Sequence, residues 1–247
     1  MTPATIRLGL AILAGAASGA WAQEDPWTVE VTPYIWAAGI EGDATVRGQS
    51  VDFDKSASDL FDATDIAGSV RVGAMYDRVA IGAVIDYVSV STDELDAEDQ
   101  PPGGVTFESD MLLTEVMAGY RLDGWAENQS FIIGLGVRNL NYENTVDLPD
   151  GRERSQDNDI TDAFVYVLPI LPVLPSRIDG LRFNPLLGIG AGDSDLAYEL
   201  FPHFQYDITD SVSARFGYRR VGWRFEDGDN ELNVDLAGFA LGLGLRF

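Results

Sequence analysis

Three features of this 247-residue sequence predict an all-β fold, a single closed antiparallel barrel crossing a membrane. The first is the closing run Phe239-Ala240-Leu241-Gly242-Leu243-Gly244-Leu245-Arg246-Phe247, in which large apolar residues take every second position. A strand sends alternate side chains to opposite faces, so one face here is bulky and apolar and the other is Gly238, Ala240, Gly242, Gly244 and Arg246. Lipid on one side and a filled interior on the other suit that pattern. The second feature is recurrence: similar alternation marks 27–38, 66–77, 79–90, 106–121, 130–142, 160–170, 181–191, 195–207, 211–225 and 232–247. Most of these ten candidates are ten or more residues long, as a tilted membrane-spanning strand requires, whereas soluble sheets use shorter ones.

The third feature is the rhythm of the connections. Short links at 77–78, 122–129 and 209–210 alternate with long acidic stretches at 39–65, 91–105 and 143–159. Short turns at one end and long loops at the other are the outer-membrane arrangement, and a periplasmic N-terminus puts the short turns in the periplasm. Two segments leave the count open between ten, the preferred number, and eight or twelve. Segment 44–53 reads as a small hairpin, folded over the barrel mouth or adding two strands. Segment 168–180 carries Pro169, Pro172 and Pro175, which deny it a regular central strand and make it a long turn.

Residues 1–22 read as an export signal: Arg7, an apolar stretch over 8–17, and the cleavage site Ala20-Trp21-Ala22. The apolar stretch is shorter than the roughly 20 residues of a membrane helix. The remaining 23–247 form one domain, the barrel with its acidic extracellular loops, which places the protein in the bacterial outer membrane. Cysteine is absent, so no disulfide supports the domain, and a closed hydrogen-bond ladder supplies the constraint instead.

With 40 acidic against 16 basic residues, the net charge of −24 argues against duplex nucleic acid as a partner. The acids crowd the connections: Asp52, Asp54, Asp59, Asp62 and Asp65; Asp93, Glu94, Asp96, Glu98 and Asp99; and the stretches 147–162 and 226–231. They read as a solvated surface or as sites for divalent cations bridging the loops to anionic lipopolysaccharide. None matches an ordered calcium loop.

Assigning the bulky apolar phase to lipid leaves the other phase for the lumen. That phase holds Glu30, Arg71, Asp86, Glu115, Arg138, Glu199, His203, Arg215, Arg219 and Arg246, with Arg121 and Arg182. Charge on the lipid face is costly, about 2–4 kcal/mol for a midplane Arg, whereas inside a narrow barrel Arg and carboxylate pair in bidentate geometry. The expectation is a salt-bridge core partly closing the lumen, with a charge-lined pore or pocket as the rival. Strand glycines such as Gly119, Gly134, Gly136, Gly242 and Gly244 share the inner phase, leaving room for large side chains. No glycine pattern sits between a strand and a helix, so nothing points to nucleotide binding. Aromatics near strand ends (Trp27, Tyr76, Tyr87, Tyr120, Trp125, Tyr142, Tyr206, Tyr218) suit headgroup girdles, while Trp36 and Trp223 take the inner phase, where a ligand site near the outer mouth is the alternative.

Catalysis has a single candidate base, His203, with Ser213 on the inner phase of the next strand and Glu199 or Asp207 to orient the ring. A lone histidine without cysteine makes no multi-histidine metal site, and no cofactor is called for.

The opening Trp27-Thr28-Val29-Glu30-Val31-Thr32-Pro33-Tyr34-Ile35-Trp36, with Phe216-Gly217-Tyr218-Arg219 and the closing Leu243-Gly244-Leu245-Arg246-Phe247, resembles a Gram-negative outer-membrane β-barrel family, broadly the small OmpA-like and OmpW-like barrels. The resemblance implies that the barrel assembly machinery recognises Phe247, with Leu241, Leu243 and Leu245 as the apolar face of the signal. It transfers no catalytic residue. The expected function is structural support or a narrow passive channel for small solutes. The alternative is a cation-dependent binding or adhesion barrel acting through its acidic loops, and a barrel enzyme stands behind both.

Overall fold

Branched apolar residues on one phase and small or polar ones on the other give each segment a strand that is solvated by lipid on its outer face and free to hydrogen-bond along both edges. The computed structural model describes residues 27–46, 49–55, 64–91, 106–126, 128–147, 153–227 and 230–247. The strands are β1 (Trp27–Val46), β2 (Gln49–Lys55), β3 (Thr64–Tyr76), β4 (Val79–Ser91), β5 (Thr106–Asp123), β6 (Ser130–Asp147), β7 (Glu153–Pro172), β8 (Leu181–Gly192), β9 (Leu196–Asp207), β10 (Val212–Asp227) and β11 (Asn230–Arg246). Each barrel strand pairs antiparallel with its neighbours, and β11 pairs with β1, from Glu30↔Arg246 to Thr45↔Glu231. The result is a closed barrel of ten strands, with β2 attached to β1 alone.

The segment near residue 50 thus resolves as a hairpin that adds nothing to the barrel count. β1 pairs with β3 over Trp27–Tyr34, in register Trp27↔Tyr76 to Tyr34↔Ser69, and with β2 over Ile40–Val46, in register Ile40↔Lys55 to Val46↔Gln49. β2 therefore takes the side of β1 that β3 leaves free at the loop end. The export segment and the acids at 92–99 lie outside the described residues.

Two expectations are corrected. The segment from 168 is not all turn: β7 continues through Pro169 to Pro172, and the turn begins after it. Proline cannot donate to a ladder, and the β7–β8 ladder breaks between Val167↔Leu187 and Leu171↔Phe183, where Pro169 and Pro185 stand opposite each other. The tolerance is local to that break, because β6 stays paired with β7 through Phe131↔Pro169. The acidic stretch 143–159 is likewise mostly strand: β6 runs to Asp147 and β7 starts at Glu153, in continuous register. Beyond the lipid both faces are wet, so apolar alternation stops while the ladder goes on.

The outer wall is apolar, with Ile35, Val116, Leu135, Phe239, Leu241, Leu243 and Leu245 all exposed to the surroundings, and Phe247 beside them. Aromatic pairs stand at the turn end, where Trp27 lies 5.0 Å from Tyr76 and Trp125 lies 5.8 Å from Phe131. Tyr142, read as a girdle residue, instead packs inside on Leu113, Leu140 and Trp223, because its even position shares the phase of Arg138 and Leu140. Inside, the side chains stack in layers. From the turn end these are a polar vestibule, an apolar belt (Val84, Met117, Ile132, Phe164, Tyr166, Leu186, Phe201), an ionic layer, and an apolar cap (Leu113, Leu140, Ala197, Val221, Trp223, Leu236). Glycine makes the belt possible. A Cβ at Gly134 would lie 2.2 Å from the Ala118 carbonyl oxygen and 2.5 Å from the Tyr166 ring, so only a bare backbone lets that ring lie flat on the wall.

Candidate functional site

The ionic layer is built by six strands that each contribute a residue at the same level. Arg219 (β10) reaches Asp86 Oδ2 (β4) at 2.6 Å, Glu115 Oε1 (β5) at 2.8 Å and Glu199 Oε1 (β9) at 2.8 Å. Arg138 (β6) reaches Glu115 Oε1 at 2.9 Å and Glu199 Oε2 at 2.5 Å. Tyr34 donates to Asp86 and accepts from Arg219 Nη1 at 3.2 Å. Both guanidinium groups are sealed from solvent, at 1 % exposure for Arg138 and 0 % for Arg219. Aromatic faces cover them: Trp36 lies 4.7 Å from Arg219, and Phe164 and Trp223 lie 5.1 and 6.0 Å from Arg138. Trp36 and Trp223 are thus packing for the layer and its cap. One carboxylate oxygen, Glu115 Oε2, has no partner among the described residues. A buried charge is tolerable only when paired and hydrogen-bonded, and here every group shares several partners.

The second group of inward charges lies below the apolar belt, at the turn end. Glu30 accepts from Arg215 and, at 3.1 Å, from Arg246. Asp207 accepts from Arg182 and, at 3.3 Å, from Arg246. His203 is held by Nδ1 at 3.2 Å from the Phe201 carbonyl oxygen and stacks on the Phe201 ring at 4.5 Å. Arg71 sits over the other approach to Phe201, 5.7 Å from its centroid, and makes no ion pair among the described residues; its Nη2 is buried and unpartnered. Glu30, Arg71, Arg182, His203, Arg215 and Arg246 line a cavity of about 610 Å³ at the turn end. The ten lumen residues therefore form two groups: Asp86, Glu115, Arg138, Glu199 and Arg219 above the belt, and Glu30, Arg71, His203, Arg215 and Arg246 below it.

Ser213 and His203 are not brought together. In the β9–β10 ladder Ser213 faces Asp207 and Gly217 faces His203, a separation of four residues, about 13 Å along a strand.

Sequence reasoning missed a charged cluster on the outside of the wall. Arg220 reaches Glu41 Oε1 at 2.6 Å and Asp235 Oδ2 at 2.7 Å, Arg224 reaches Asp235 Oδ2 at 2.9 Å, and Tyr198 donates to Asp235 Oδ1 at 2.5 Å. The signal was present in the doublet Arg219-Arg220, since adjacent strand residues cannot both face inward. At the loop end, several acids already serve the backbone. Asp162 Oδ1 accepts from Ser194 N (3.0 Å) and Oγ (2.8 Å), Asp193 from Thr161 N (2.8 Å), and Asp195 from Glu226 N (2.6 Å). Among the described residues no three acids converge as a metal site.

No family model and no curated protein matches the chain. Among solved structures it is similar to the outer membrane protease OmpT from Escherichia coli, with 9 % identity and a TM-score of 0.51 over 90 % of this chain and 96 % of that one. It is also similar to a major outer membrane protein from Thermus thermophilus (11 % identity, TM-score 0.41, 90 % and 99 % covered) and to Ail, the attachment invasion locus protein of Yersinia pestis (11 % identity, TM-score 0.35, 90 % and 98 % covered). At such identities the likeness concerns the fold alone. The fold is a closed antiparallel barrel of the outer-membrane kind. Among the described residues its wall holds two lumen groups of charge and one outer cluster, and each calls for its own account.

Proposed function

We propose that this is a closed binding barrel whose work is done at its loop end, with the lumen serving as a structural core rather than a passage. One observation carries the reading: the Arg138–Arg219 layer, capped by Leu113, Val221 and Trp223, fills the cross-section with side chains almost wholly removed from solvent. Water and ions find no polar path through an apolar cap. The strands, by contrast, extend into hairpins beyond the apolar band, where Glu143, Asp157 and Asp159 are solvent-exposed. Those hairpins and the acidic connections are the surface we assign to binding, with divalent cations bridging it to a partner. Lipopolysaccharide is the anionic neighbour proposed for the outward Arg220 and Arg224. The kinship with OmpA-like and OmpW-like barrels, and assembly through Phe247, rest on the terminal sequence patterns.

The deciding measurement is conductance of the purified barrel in planar bilayers. The expected trace is flat; a steady open level in the unmodified protein sinks the closed-barrel reading. The cation arm has a separate test. Calcium or magnesium is expected to raise the unfolding temperature, and the rise is expected to shrink in Asp157→Asn/Asp159→Asn; an unchanged shift removes those two carboxylates from the binding surface.

A further inference from the structure

The vestibule below the apolar belt has a charge balance unlike the rest of the chain. Five guanidinium groups (Arg71, Arg121, Arg182, Arg215, Arg246) converge there from β3, β5, β8, β10 and β11, and two carboxylates, Glu30 and Asp207, face them. Both carboxylates are already engaged by Arg182, Arg215 and Arg246. Arg121 donates only to the Asp77 carbonyl oxygen, at 3.0 Å, and Arg71 has no carboxylate partner among the described residues. One buried donor of the cavity lining, Arg71 Nη2, has no acceptor among the described residues. In a chain of net charge −24, a local cationic surplus around an unsatisfied donor is chemically specific.

We propose that this vestibule binds a small multivalent anion carrying phosphate or carboxylate groups, admitted from the periplasmic side. Guanidinium groups are suited to such oxygens because they present donors in a planar fork. The cavity, about 610 Å³, lies within the range of small-molecule sites. Its roof is apolar, from Leu186, Ile132 and Tyr166, so a hydrophilic anion stops there: the site captures and does not conduct. The lower wall supplies further hydrogen-bonding groups. Gln205 accepts from Arg215 Nε at 3.2 Å and from Asn184 at 3.4 Å, which fixes both amides at the cavity edge. This inference does not depend on what the loop end binds.

Calorimetric titration of the purified barrel, in neutral detergent at low salt, with inorganic phosphate and with citrate tests it. Saturable binding of either anion is expected, weakening as salt is raised because screening acts on the same charges. Arg71→Gln and Arg121→Gln are each expected to lower the affinity by roughly ten- to a hundredfold, the weight of a charged hydrogen bond. Arg71→Lys keeps the charge and is expected to fall between. No saturable binding of either probe overturns the proposal. Equal affinity in the parent and in correctly folded Arg71→Gln and Arg121→Gln does so too.

Discussion

Arginine stands at two levels of the lumen, and what surrounds it differs. Around Arg138 and Arg219 three carboxylates and a tyrosine close every approach, aromatic rings cover the guanidinium faces, and no solvent enters. Around Arg71, Arg121, Arg182, Arg215 and Arg246 the carboxylates that pair with them among the described residues are Glu30 and Asp207, and the space between is open. The residue type, the barrel face and the strand geometry are shared. What separates a plug from a pocket is the ratio of acid to arginine at each level. Excess carboxylate lets both cations be fully desolvated, whereas excess guanidinium keeps the side chains apart and donors unanswered.

Substitutions that remove one partner of the buried layer should break this contrast most strongly. Arg219→Ala strands Asp86, Glu115 and Glu199 together, and urea unfolding in lipid vesicles should show a loss of about 3–5 kcal/mol. Moving a guanidinium to the other face comes next. Leu135→Arg places it on the lipid side, three residues along the strand from Arg138, and should cost about 2–4 kcal/mol by the same measurement. Gly134→Ala tests whether the belt needs its bare backbone; the crowding against Tyr166 and Ala118 predicts a loss of roughly 1–3 kcal/mol. Smallest is Arg246→Gln in the vestibule. That side chain is partly solvated and shares its carboxylates with Arg215 and Arg182, so the expected stability change is below about 1 kcal/mol. A loss as large as that of Arg219→Ala would erase the distinction between the levels.

Much of this was legible because alternation is a local property. The ten strands follow from period-two patterns, and a residue's face follows from its parity within them, as for Glu115, Arg138 and Arg219. Which charge meets which is not local. Arg219 finds Asp86 across the lumen, 133 residues away in the chain, because ten registers and a common tilt bring them to one level. No pair of neighbouring strands carries that information. The loop-end extensions of β6 and β7 were illegible for another reason. Once both faces are wet, alternation no longer distinguishes a strand from a loop, although the backbone pairs Tyr142↔Asn158 and Glu143↔Asp157 are intact. Pro169 misled in the opposite sense: taken alone it denies a strand, and only its position opposite Pro185, where the ladder is already interrupted, makes it harmless.

The seam between β1 and β11 has a kinetic consequence. Every other backbone ladder of the barrel joins strands that are neighbours in the chain, with β1 and β3 flanking the short β2. The seam alone joins its two ends, down to Val29 N donating to Phe247 O at 3.2 Å and Phe247 N to Val29 O at 2.8 Å. Arg215 and Arg246 of the last two strands also clasp Glu30 of the first. Ring closure over this separation carries the largest loop entropy in the molecule and comes without intermediate reward, since a barrel lacking β11 keeps two bare edges in hydrocarbon. The cylinder is therefore expected to close late, and in timed folding into lipid vesicles substitutions at the Glu30 clasp should slow insertion more than they weaken the finished barrel.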